Sequence, residues 1–295
     1  MTSTTRRTNG SGADTTLRVS GADTTLRVFG ILVLLFLFAP LIVIFVYSFN
    51  TGRLLGAWEG FGFTAYETAF RTPEILNAVG VSLRSSVVAT VFSTLLGSTL
   101  GVAIGLRSGA FISTIVGVLG LVLVTPEIVQ AVSLMPWLTS LSVDWGLALF
   151  NDGILRLAIG HSLFATAVVS FLVRGRVRAL DPALTEAAED LYASRWNSFR
   201  QILLPQLAPA IGAGALMAFT LSLDNTIISA FVQATGNTPW PVYVLSSLRS
   251  GLRPELAAMA AVMLVATLAL LALAAVILGR GGSAASTARA LVGSE

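Results

Sequence analysis

The stretch EAAEDLYASRWNSFRQILLP, Glu186 to Pro205, is polar and charge-rich, and long apolar segments flank it on both sides. A chain embedded in lipid has little use for so elaborate an internal loop unless something soluble docks on it. The residues just before and within it carry helix-start chemistry. Asp181 can cap, Pro182 suits a first turn, and Glu186, Glu189 and Asp190 follow. Leu184, Ala187, Ala188 and Leu191 recur at three- and four-residue spacing and make a small apolar stripe. A second short helix is expected over Arg195–Leu203, with Trp196, Phe199 and Leu203 on one face, and Pro205 is expected to end it and redirect the chain. An apolar stripe with a polar rim fits a helix laid into a partner's groove. The alternative is an amphipathic pair lying on the lipid surface.

The composition outside the loop is that of a membrane protein. Of the 295 residues 55% are hydrophobic and 11% charged, with a mean hydropathy of +0.83. Soluble domains carry roughly a quarter charged residues. Absence of Cys excludes disulfides and thiolate metal sites, and a single His excludes a histidine-rich metal centre. All 18 basic residues are Arg, so lysine-dependent chemistry is excluded as well. The pI near 9.9 reflects topology rather than nucleic-acid binding.

Taken in order, residues 1–28 read as a disordered cytoplasmic tail in which SGADTTLRV occurs twice in tandem. Six spans are expected: Phe29–Phe49, Ser82–Leu106, one from Phe111 that carries Pro126 and Glu127 in its outer half, Ala158–Val173, Ala208–Val232 and Leu256–Leu278. The first lacks a small-residue cleavage site and reads as an uncleaved anchor. The domain plan is therefore a tail (1–28), a six-span domain (29–280) with its internal loop at 174–205, and a second disordered cytoplasmic tail (281–295). Gly97, Gly101 and Gly105 form a seam on the second span that permits close helix packing. Between spans, residues 50–77 and 233–255 read as external loops, the latter holding a short helix. Trp137 and Trp240 read as interfacial anchors and His161 as a structural hydrogen-bonding group.

Six spans put both termini on one side. With termini inside, Arg6, Arg7, Arg18, Arg27, Arg107, Arg174, Arg176, Arg178, Arg195, Arg200, Arg280 and Arg289 are cytoplasmic. Only Arg53, Arg71, Arg84, Arg156, Arg249 and Arg253 are then external, and that bias favours this orientation. The loop then faces the compartment that holds ATP.

The loop resembles the EAA loop of the permease subunits of ATP-binding-cassette (ABC) importers, whose pattern is EAA, a Gly four residues on, then I-x-L-P. Glu186, Ala187, Ala188, Ile202, Leu204 and Pro205 match it, and Tyr192 stands at the Gly position. Further strings, TPEIVQAVSL (Thr125–Leu134), FTLSLDNTIISAFV (Phe219–Val232) and TPWPVYVLSSLRSGLRPEL (Thr238–Leu256), make the resemblance closest to spermidine/putrescine-type permeases. The resemblance implies an all-α polytopic bundle in a bacterial inner membrane. It also implies a second permease subunit, identical or homologous, two ATPase subunits that bind ATP and Mg, and an external substrate-binding protein. On that footing Glu186, Ala187, Ala188, Asp190, Leu191, Tyr192, Trp196, Ile202, Leu204 and Pro205 are the ATPase-coupling residues. No G-x-x-x-x-G-K-[ST] loop occurs in this chain, so it is expected to be no enzyme and to hold no cofactor or metal of its own.

Glu127 and Asp224 are the two carboxylates within spans. Each costs about 2.5–3.5 kcal/mol at a helix centre, so each is expected to face the bundle interior, a water-filled path or a partner. Both lie about 16 residues from the cytoplasmic start of their span, at a depth of about 24 Å. Two acids at one level suit an anionic ring around a cation path, with Ser222 and Asn225 as added polar contacts. Capping by a nearby turn or pairing with an Arg are the structural alternatives. A small cation of the polyamine type is the expected solute. The same machine carrying an amino acid derivative, phosphonate, iron or an oxyanion stands beside it, and an ATP-independent secondary transporter is the rival from another class.

Overall fold

A computed structural model describes residues 20–292 apart from Pro182 and Ser250; the first SGADTTLRV copy lies outside that range. It divides into two units, residues 1–46 and residues 47–295. The first is the long apolar helix α1 (Ser20–Tyr47), whose segment Leu26–Tyr47 is long enough to cross a bilayer. It starts before the expected Phe29, because once a helix has nucleated each added residue costs little.

The second unit is helical, with α2 (Thr64–Arg71), α3 (Pro73–Leu106), α4 (Ala110–Val124), α5 (Glu127–Val143) and α6 (Gly153–Arg178). After these come α7 (Ala183–Asp190), α8 (Arg195–Ser198), α9 (Leu204–Leu223), α10 (Ile227–Val232), α11 (Trp240–Ser247) and α12 (Pro254–Val292). A lone bridge between Asn50 and Phe61 is the β-type pairing among the described residues. Helix boundaries follow sequence chemistry. Pro73 sits at the start of α3 with Glu74 in its first turn. The Asp152 carboxylate accepts from the Leu155 amide at 2.8 Å to cap α6, and Arg176 and Arg178 occupy that helix's last turn.

Among the described residues five helices are long and apolar enough to span a membrane, or six when α4 and α5 count as one broken span. The expected third span is that broken pair, its axis turning by 102° at Thr125–Pro126. The expected fifth span is also interrupted, since α9 stops at Leu223 and α10 resumes at Ile227. The last helix runs on past Leu278 to Val292, into residues expected to be a disordered tail.

The centre of the unit is the pairing of α3 with α6. Ideal Cβ atoms on Gly97, Gly101 and Gly105 would stand 2.7, 2.8 and 2.7 Å from the Cβ atoms of Val169, Val173 and Val177. A side chain at Gly101 would also meet the Ser170 carbonyl at 2.7 Å. The seam thus lets two helix backbones close on each other, the packing role expected of it. Val169, Val173 and Val177 continue into a core with Ala165, Leu207 and Ala218, which fastens α9 to the pair. A separate cluster of Val81, Ala131, Leu138, Leu157, Ile228 and Val232 gathers α3, α5, α6 and α10. Trp240 departs from the expected interfacial role. It is buried, its backbone N–H donates to Ser82 Oγ at 2.8 Å, and its ring stacks on Tyr243. Trp137 remains exposed.

Gly101→Val forces the α3–α6 pair apart against a backbone carbonyl, so it is expected to destabilise the protein by about 1–3 kcal/mol. A drop in the thermal unfolding midpoint of the detergent-purified protein measures it. The same change at Gly117, where nothing lies within 4 Å, should leave the midpoint nearly unmoved.

Candidate functional site

Both helix breaks fall beside an acidic residue. At the first, Pro126 cannot supply the N–H that the Val122 carbonyl would receive in a continuous helix. The buried Gln130 side chain replaces it, donating from Nε2 to Val122 O at 2.9 Å and to Thr125 O at 3.2 Å. Pro126 then serves as the start of α5, accepting from Val129 N at 3.0 Å, and Glu127 is the first residue of that helix. At the second break, Asn225 Oδ1 accepts from Ile228 N at 3.0 Å and so caps α10. The Asp224 N–H still reaches Thr220 O at 3.2 Å, while Thr226 Oγ1 donates to Asp224 O at 3.3 Å.

One side chain joins the two breaks. Asn225 Nδ2 donates to Glu127 Oε1 at 2.6 Å across 98 residues of sequence. Glu127, Asp224 and Asn225 then line a single open cavity of about 500 Å³, completed by Thr220, Leu221, Thr226 and Ile227. Among the described residues no arginine pairs with either carboxylate, so the arginine alternative has no support in the fold. Local satisfaction does apply to Glu127, through Asn225. Ser222, grouped with these residues by sequence proximity, is turned away. It is buried, with its Oγ 2.7 Å from His161 Nδ1, because it sits on the face of α9 that packs on α6.

The loop of α7 and α8 lies by Leu106 and Leu180. Leu184 and Ala188 of α7 face Phe199, Ile202 and Leu203 across a groove of about 210 Å³. Ala188 is buried, whereas Glu186, Asp190, Leu191, Trp196, Leu204 and Pro205 are exposed. The side chain of Ala187, like Pro182, lies outside the described residues. Leu191 leaves the apolar stripe because it falls after the end of α7. Trp196 stacks on Phe199 with ring centres 5.9 Å apart, which confirms the shared face expected of them.

Pro205 does not end a helix. A π-helical turn over Phe199–Leu203 precedes it, and Leu204 N–H reaches back to Phe199 O, five residues away. The widened turn makes room for the proline ring, and Pro205 is carried within the helix as it continues into α9. Arg195–Leu223 is consequently one continuous apolar rod. Its far end is the second break, so the loop and Asp224 lie at opposite ends of a single element.

Tyr192 adopts φ +54°, the one left-handed non-glycine residue among those described. The Ala193 N–H donates to Ala188 O at 2.9 Å, the 6→1 bond of a Schellman turn that closes α7. The turn therefore has the geometry that a glycine would serve. Tyrosine bears a conformational cost there while its ring is 96% exposed.

Residues 97–281 match the family model described as the binding-protein-dependent transport system inner membrane component. The chain belongs to that family. Curated relatives include the putrescine transport system permease protein PotI of Escherichia coli (strain K12), 34% identical over 74% of this chain and 78% of that protein. The spermidine/putrescine transport system permease protein PotC of Haemophilus influenzae (strain ATCC 51907 / DSM 11121 / KW20 / Rd) is 31% identical over 78% of this chain and 87% of that protein. Among solved structures, a bacterial ABC transporter involved in the import of the acidic polysaccharide alginate aligns with a TM-score of 0.73. It covers 89% of this chain and 96% of its own at 17% identity, which speaks for the fold alone. The chain is thus the membrane-spanning subunit of an ABC importer, not itself an enzyme. That family leaves no place for the secondary transporter weighed above.

Sequence reasoning missed how the breaks are repaired. The Gln four residues after Pro126 is a signal that could have found the first, since it stands where a missing N–H must be replaced. Replacing Tyr192 by Gly relieves the left-handed residue and is expected to stabilise the α7 turn by about 1 kcal/mol. Slower hydrogen exchange at the Ala193 amide checks it; faster exchange would show that the tyrosine ring itself braces the turn.

Proposed function

We propose that this permease carries a small organic cation of the polyamine type, and that Glu127 and Asp224 contact it. The observation that carries this reading is their placement on the wall of one cavity at two helix breaks, without an arginine to neutralise them among the described residues. A charged carboxylate in a span is costly, and a mobile cation offsets that cost while it passes. Asn225 orients Glu127 and keeps one of its oxygens engaged. Asp224 stands exposed at the end of α9. The names of the relatives, putrescine and spermidine permeases, point to the same class of solute. That the aligned alginate importer handles a polyanion carries no weight against it, because the likeness there is one of fold.

The loop of α7 and α8 docks on the ATPase subunits, with Glu186, Asp190, Leu191, Tyr192 and Trp196 presented outward. Ala188 and Ile202 hold the loop's own groove together, and Leu204 and Pro205 begin the rod that leads to Asp224. Closure of an ATPase pair with ATP and Mg would displace the rod and reorient the breaks, giving alternating access. The arginine bias supports a cytoplasmic position for this loop and for both termini in a bacterial inner membrane. A second permease subunit completes the path, and a substrate-binding protein delivers the solute from the other side.

The decisive experiment is solute-stimulated ATP hydrolysis by the reconstituted complex. Spermidine, putrescine, an amino acid and an oxyanion are each offered with the binding protein. Stimulation by the polyamines alone is expected, and stimulation only by another solute would discard the cation reading. Asp224→Asn is expected to raise the half-saturating polyamine concentration about tenfold or more, as loss of a charge-assisted contact does. For the loop, Glu186→Ala is expected to weaken ATPase association about tenfold or more, the loss typical of a hot-spot contact. Co-purification of the ATPase at the wild-type level would remove Glu186 from the coupling contact.

A further inference from the structure

We infer that His161 is a positioning residue that sets the geometry of the second helix break by holding its two halves with one ring. Its Nδ1 lies 2.7 Å from Ser222 Oγ on the last turn of α9, and its Nε2 lies 2.9 Å from Ser229 Oγ on α10. The break at Asp224–Thr226 falls between those two serines. All three side chains are buried, with exposures of 4% for His161, 4% for Ser222 and 0% for Ser229.

The neighbouring residue makes this reach possible. A Cβ on Gly160 would stand 2.6 Å from Ile228 Cγ2, so α6 can approach α10 this closely only without a side chain there. His161, one position further along α6, then extends to both partners. Helix α10 has six residues, far too few to persist alone. Its apolar anchors, Ile228 and Val232, pack in the core shared with α3, α5 and α6. Directional bonds add to that packing. The Asn225 cap fixes where α10 starts, and His161 fixes how it is turned relative to α9. A neutral imidazole donates through one nitrogen and accepts through the other, so it satisfies two buried hydroxyls at once. Phe in its place would fill the same space and leave both hydroxyls unpaired.

This inference rests on the reading of the cavity only for its functional consequence: a displaced break moves Asp224 and Asn225 out of register with Glu127. The structural part is tested independently of transport. The protein has no cysteine, so Thr226→Cys places a single reporter at the break. Its rate of modification by a water-soluble methanethiosulfonate is measured on the assembled transporter in membrane vesicles. With His161→Phe added, the rate is expected to rise about fivefold or more, the factor corresponding to one lost buried hydrogen bond. His161→Gln, which keeps a donor and an acceptor, is expected to restore most of the original rate. Ser229→Ala gives a milder version should His161→Phe fail to assemble, and it should add nothing to His161→Phe when the two are combined. An unchanged rate in both His161→Phe and Ser229→Ala overturns the inference. Transport then separates the two claims. Under both, His161→Phe raises the half-saturating polyamine concentration with a smaller change in maximal rate. A shifted modification rate with unaltered saturation would leave His161 as the clamp and remove the cavity from the solute path.

Discussion

A backbone that crosses hydrocarbon has no water to satisfy its N–H and C=O groups, so every interruption of a spanning helix must be repaired from within the protein. Two spans are broken among the described residues, the third and the fifth, and side chains repair each break. Gln130 donates to the carbonyl that Pro126 cannot serve, Asn225 caps α10, and His161 ties α10 back to α9 through two serines. The same constraint explains why Glu127 and Asp224 lie where they do. A helix break is where the spanning backbone departs from its regular form and polar side chains are already gathered, so a carboxylate can be held there beside a cavity rather than against lipid tails.

Such repairs need a rigid support, and the glycine seam provides it. With Gly97, Gly101 and Gly105 set against Val169, Val173 and Val177, α3 and α6 approach closely enough to form one slab. His161 projects from that slab, and the Leu207–Ala218 face of α9 packs on it. The loop continues into the same helix through the π turn at Phe199–Leu203, so Arg195–Leu223 is one helical element that runs from the loop to the residue before Asp224. The widened turn accommodates Pro205 without ending the helix.

Tyr192 shows a different balance. A left-handed residue closes α7, and a bulky side chain adopts that conformation at a cost of about 1–2 kcal/mol while burying nothing within the chain. The turn is dictated by the Schellman bond from Ala193 to Ala188, and the ring is left facing outward beside Leu191. Nothing within the described residues accounts for the choice of tyrosine there.

The sequence by itself determined the class of the fold, the number of apolar segments to within one and the helical character of the loop. These properties are local: hydropathy adds up along a window, and caps and stripes involve residues a few positions apart. Only the tertiary structure decided that the third and fifth spans are broken and that Asn225 bridges them. It also decided that Ser222 turns to His161 instead of the cavity, that Trp240 is buried, and that Pro205 lies within a helix rather than ending one. The physical reason lies in the range of the interactions. The bonds in question join residues 61, 68 and 98 positions apart, and their partners exist only once α5, α6, α9 and α10 have packed together.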